Sequence, residues 1–91
     1  MTDSFSIVIP TYLRAALLTR TLPSYLMTGA KQVIVVDDAS SNAHRGDLLR
    51  LASDPRVHLV ILPRHVGLPA ARNEGVTLAQ TDWSVFGEED V

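Results

Sequence analysis

The sequence predicts an α/β domain built on an open, mainly parallel sheet with flanking helices. Four short apolar runs, "FSIVIP", "QVIVVDD", "VHLVILP" and "WSVFG", are rich in Val and Ile and nearly continuous in hydrophobicity. That is the pattern of strands buried on both faces. Segments with helical spacing separate the runs, so strand and helix alternate along the chain. Parallel neighbours joined by right-handed crossovers follow from that alternation.

The first run ends in the turn Pro10-Thr11-Tyr12. From Leu13 to Met27, residues Leu13, Ala16, Leu17 and Arg20 keep helical spacing, and Pro23 is expected to kink or divide the element. The second run ends in Asp37-Asp38. From Arg45 to Ala52, Leu48, Leu49, Leu51 and Ala52 are expected to pack on the sheet, and Asp47 suits a first helical turn. The third run ends at Arg64-His65. A helix from Pro69 to Gln80 starts on a proline, which a first position tolerates, and carries Leu68, Ala71, Gly75 and Leu78 on one stripe. Glycine costs roughly 1 kcal/mol against alanine in a helix interior, and close approach of the helix to the sheet would explain Gly75. Thr81 and Asp82 read as the exit from this helix, with Trp83 entering the core. The fourth run ends in Glu88-Glu89-Asp90.

A length of 91 residues allows at most one domain. Hydrophobic residues make up 46% of the chain and the mean hydropathy is +0.15, enough for a packed core and against disorder. The net charge of −2 is scattered, so nucleic-acid binding driven by phosphate contacts is disfavoured. No apolar run reaches the length of a membrane span, and Asp3 stands where a signal peptide carries positive charge. A cytoplasmic location is expected, with attachment to the inner face of a membrane open to parts outside this segment. Cysteine is absent, which excludes disulfides and thiolate metal sites. A fourth buried strand needs covering elements, and the chain stops one residue after its acidic end. Residues 1–91 are therefore expected to be the front part of a larger domain.

Ligands of open parallel sheets bind beyond the carboxyl ends of the strands, and three of the four predicted ends are charged. Asp37 and Asp38 point to different faces, so only one need face a crevice. Turn chemistry in "DDASSN" and a carboxylate that accepts a ligand N–H are both open readings. In "RHVGLPAARNEG", Gly67 permits a tight helix start whose N–H groups can face an anion, and Arg72 offers a planar donor fork for phosphate. The terminal carboxylates form either a solvated acidic turn or a site for Mg²⁺ or Mn²⁺ that leaves positions for phosphate oxygens. His44, His58 and His65 lack metal-ligand spacing: His58 is expected packed or at an edge, His44 in a loop, and His65 on the surface of the functional edge. No Ser/His/Asp or Cys/His arrangement is visible.

Taken in order, "SIVIPTYLR", "VIVVDDAS", "GLPAARNEGV" and "DWSVFGEEDV" resemble the nucleotide-binding half of a family 2 glycosyltransferase with the type A glycosyltransferase fold. Each piece is common singly; four in the family's order and spacing are specific. The resemblance implies that Pro10, Thr11 and Tyr12 border the nucleotide base and that Asp38 accepts its ring N–H. It implies Arg72 near the base or diphosphate, Glu89 at the ribose, and Asp90 as ligand to Mn²⁺ or Mg²⁺ bridging the diphosphate of a nucleoside-diphosphate sugar donor. Two positions depart from the pattern: Leu13 stands where the family usually has Asn, and Glu-Glu-Asp stands where it usually has Asp throughout.

Two other classes compete. A non-catalytic receiver-like module would place its acidic pair after the first strand and a lysine late in the sheet, whereas the only lysine is Lys31. A nucleotidyltransferase would show a Gly-rich basic loop after the first strand, where "TYLRAALL" stands. The general base of an inverting transferase is expected beyond Val91, so the isolated chain is expected to be inactive. The sugar, the acceptor and the base are not chosen by these residues.

Overall fold

A computed structural model describes residues 4–88. Its element order is β1 (Phe5–Thr11), α1 (Ala15–Leu26), β2 (Gln32–Asp37), α2 (Arg45–Leu51, preceded by a 3₁₀ turn over Asn42–His44), β3 (Val57–Ile61), α3 (Leu68–Leu78) and β4 (Trp83–Phe86). All pairings are parallel and the strand order is β3-β2-β1-β4. The predicted α/β class and parallel sheet are what the structure shows.

Alternation along the central strands sorts the core into two layers. Ile7 and Ile9 of β1 and Val33 and Val35 of β2 face α1 and α2, where they pack with Ala15, Leu18, Leu22, Leu48 and Leu51. Val8, Ile34 and Val36 point the other way and meet Ala71 of α3. Continuous apolar runs are thus required only of β1 and β2, which are buried on both faces.

Glycine at position 75 lets α3 settle onto this second layer. A Cβ there would collide with Val8 Cγ1 and lie 3.1 Å from Val36 Cγ2. Both neighbours are β-branched and stiff. At the amino end of the sheet, Gln32 Oε1 accepts from Ser6 Oγ and from the Gln80 amide, each at 2.9 Å, which fixes the exit of α3 beside β1. The chain then enters β4 on the far side of β1.

Several expectations need correction. Pro23 does not divide α1, which runs through it; it lies on the exposed side, where the carbonyl it leaves without an amide partner can be hydrated. Leu49 is exposed on the outer side of α2, and Leu68 and Leu78 are exposed at the two ends of α3, beyond the reach of β1 and β2. Neither β3 nor β4 is buried on both faces. Trp83 is 62% exposed, not in the core, because β4 pairs with β1 alone and no described element covers it.

Gly75→Ala tests the close approach. Its gain in helix propensity, about 1 kcal/mol, is outweighed by overpacking of roughly 1–3 kcal/mol, so the urea midpoint is expected to fall; a rise would show that α3 lifts freely from the sheet.

Candidate functional site

The parallel register carries all four strand ends to one edge, and the connections diverge there. α1 and α2 cover one face while α3 crosses the other, so β1 and β4 flank the point where the winding reverses. The groups of even-numbered β1 residues face β4: Val8 O accepts from the Gly87 amide at 2.9 Å. Pro10 is the next residue on that side and has no N–H, so it cannot continue the ladder. The Pro10–Tyr12 turn and the end of β4 therefore flank the switch point with no ladder bond between them.

Asp37 and Asp38 are both fully buried and do different work. The Asp37 carboxylate accepts from the Ser40 amide at 2.9 Å and from Ser40 Oγ at 2.5 Å, an Asx-type turn. Ser40 Oγ in turn accepts from the Leu13 amide at 2.8 Å, tying the turn after β2 to the turn after β1. Leu13 (φ 59°) and Ala39 (φ 63°) are held in the left-handed region, each at a cost of about 1–2 kcal/mol for a non-glycine residue. Backbone strain therefore sits at this edge of the sheet.

Asp38 reaches across to the loop before α3. Its Oδ1 accepts the Val66 amide and its Oδ2 the Gly67 amide, both at 2.8 Å, and His65 Nδ1 lies 2.8 Å from Oδ2. The two amides just before α3 are thus taken by the chain's own carboxyl group, while the amides of the first helical turn itself follow them at Leu68 and Ala70. Gly67, at φ 92° and ψ 155°, takes a conformation suited to glycine while donating that bond. The His65 ring packs at 4.2 Å from the Tyr12 ring, with centroids as endpoints, and is half-exposed above Asp38. A ligand N–H aimed at Asp38 must share its oxygens with the loop or replace His65.

Arg72 leaves α3 toward β4. Its Cζ lies 5.6 Å from the Phe86 ring centroid, and its buried Nε makes no hydrogen bond among the described residues. Beyond Phe86, the hydroxyl of Tyr25 brackets the Glu88 peptide: it accepts the Glu88 N–H at 2.8 Å and donates to the Glu88 carbonyl at 2.7 Å. Glu89 and Asp90 lie outside the described residues. Among the described residues no group of three or more His, Asp or Glu side chains is gathered for a metal, and no helix is long and apolar enough to cross a membrane.

Sequence reasoning brought Tyr12, Asp38 and His65 to one edge without linking them, and it passed over Tyr25. A tyrosine in the last turn of an otherwise apolar helical stripe was the available signal, since its ring can be buried while its hydroxyl seeks a partner.

An open parallel sheet with a switch point between β1 and β4 is an α/β architecture, and ligands of such sheets bind at that edge. The sequence pattern of glycosyl transferase family 2 matches residues 6–91, and the chain belongs to that family. The succinoglycan biosynthesis protein ExoO of Rhizobium meliloti (strain 1021) is 39% identical over 59 residues, 65% of this chain and 17% of that protein. The S. aureus TarS 1–349 crystal structure superposes with a TM-score of 0.80 at 25% identity, over 96% of this chain and 27% of that one. Its complex with UDP-GlcNAc superposes with a TM-score of 0.81 at 25% identity, over 96% of this chain and 26% of that one. The chain spans about a quarter or less of each relative's length.

Two substitutions probe this edge by urea denaturation. Leu13→Asn, which restores a residue tolerant of the left-handed region, is expected to stabilise by about 0.5–1 kcal/mol. Asp38→Asn sets an amide NH₂ against a backbone N–H and is expected to cost about 1.5–3 kcal/mol. Equal midpoints for the two variants would contradict both assignments.

Proposed function

We propose that residues 1–91 form the donor-binding part of a metal-dependent glycosyltransferase, which in its longer parent transfers a sugar from a nucleoside-diphosphate sugar to an acceptor hydroxyl. The observation that carries this reading is the family match over residues 6–91, and its place in the fold is the β1/β4 switch point, where Tyr12 follows β1, Glu88 follows β4 and Arg72 lies against Phe86. In this reading Pro10, Thr11 and Tyr12 border the base. Asp38 accepts its ring N–H through lone pairs beside the Val66 and Gly67 amides, with the half-exposed His65 as the group the base displaces. Arg72, with Nε buried and unpartnered among the described residues, meets the diphosphate.

Glu89 takes the ribose and Asp90 a divalent cation. An acidic stretch of hard oxygen donors fits Mn²⁺ or Mg²⁺. When bound, such an ion supplies positive charge that offsets the charge developing on the departing nucleoside diphosphate. In this reading the chain's own residues orient the donor, and the base for the acceptor hydroxyl and the acceptor site are assigned to the remainder of the parent. Uridine is the first base to test, since the similar TarS domain was crystallised with UDP and UDP-GlcNAc.

Calorimetric titration of UDP into the chain, with and without Mn²⁺, checks the assignment. Mn²⁺ is expected to strengthen binding, and Asp90→Asn to abolish that strengthening. Arg72→Ala is expected to weaken UDP about tenfold, or roughly 1.4 kcal/mol, and to leave uridine unchanged. Binding indifferent to the metal and to Asp90→Asn sinks the metal–diphosphate reading.

A further inference from the structure

Where β4 pairing ends, one side chain from α1 takes over the backbone. The last ladder bond on that side is Gly87 N–H to Val8 O. The next residue, Glu88, has both its N–H and its carbonyl on the Tyr25 hydroxyl, at 2.8 and 2.7 Å. The phenol thus uses its donor and one acceptor lone pair on a single residue.

Room for the ring comes from Gly87. A Cβ at that position would lie 3.0 Å from Tyr25 Cε1 and 3.0 Å from Ile7 Cγ2 and Ile9 Cγ1. Any side chain there would meet β1 and the phenol together. Gly87 and Tyr25 are therefore a matched pair: the missing side chain admits the ring, and the ring delivers the hydroxyl to Glu88.

We propose that Tyr25 is a positioning residue: by holding the backbone of Glu88, where the sequence Glu-Glu-Asp begins, it supports the divalent-cation and diphosphate binding assigned above to that stretch. The inference rests on the donor-binding reading above. Tyr25 touches no reacting atom. Its contribution is to order the entry to the acidic stretch before ligand arrives, which lowers the entropy lost on binding.

Tyr25→Phe removes the hydroxyl and keeps the ring. Three measurements on the 91-residue chain decide the matter: deuterium uptake by the C-terminal peptide of the apo protein, free Mn²⁺ by electron paramagnetic resonance during titration with UDP present, and the melting temperature. The expected result is faster exchange at the C-terminal peptide and about tenfold weaker Mn²⁺ binding in the presence of UDP. Metal-free UDP affinity is expected to stay within twofold, and the melting temperature to shift by only a few degrees. Gly87→Ala, which displaces the ring but leaves the hydroxyl, is expected to reproduce the Mn²⁺ loss and stands in should Tyr25→Phe fail to fold. Wild-type Mn²⁺ affinity in a folded Tyr25 or Gly87 variant overturns the proposal. Asp90→Asn separates the two levels. If it weakens Mn²⁺ binding while Tyr25→Phe does not, positioning alone fails; if wild type and Asp90→Asn bind Mn²⁺ and UDP alike, the donor-binding reading fails and the inference with it.

Discussion

The carboxyl group of Asp38 has no exposure to solvent, and a polar group so placed is tolerated only when its hydrogen-bonding capacity is met. Val66, Gly67 and His65 meet it, and in doing so they fix where the chain turns from β3 into α3. The height and angle of α3 above the sheet follow from that turn. With α3 placed, Gly75 can rest on Val8 and Val36, Arg72 projects toward Phe86, and the chain is returned to the amino end of β1 for β4. A dipole argument runs the same way, since a carboxyl group beside a helix amino end suits the partial positive charge there.

Ties from both faces of the sheet converge on the same edge. Asp37 acts through Ser40 on Leu13, and Tyr25 acts from the end of α1 on Glu88. None of these ties belongs to the hydrophobic core, yet each ends on a segment at the carboxyl ends of the strands. The two left-handed non-glycine residues, Leu13 and Ala39, lie in those turns. Strain held in place by surrounding hydrogen bonds is common where loops must present side chains to a ligand.

Much of this was legible in the sequence. Val/Ile runs separated by helical stripes announced the parallel sheet, and Gly75 within a helix announced a close approach that the structure contains. What resisted reading was set by partners far away in the chain. Asp38 and its amide donors are 28 and 29 residues apart, and Tyr25 and Glu88 are 63 apart. No local spacing encodes such pairs. Trp83 misled for a related reason, because burial depends on what covers a strand and the apolar run "WSVFG" says nothing of its neighbours. Leu49 failed more simply: its segment is seven residues long, too short for periodicity to choose between adjacent leucines. Pro23 does not divide its helix because the lost bond falls on a hydrated side.

The exposure of β4 has a practical side. Among the described residues it is the outer strand of the sheet, and it carries Trp83, Val85 and Phe86 at 62, 50 and 54% exposure, with only Ser84 as a polar residue between them. Proteins that keep such an edge in water usually blunt it with lysine, proline or a bulge, and β4 has none of these. A short, apolar, uncharged strand bordered on one side is adhesive toward any other strand, including the same strand of a second molecule. Pairing of that kind would make the chain's behaviour in solution depend on its concentration.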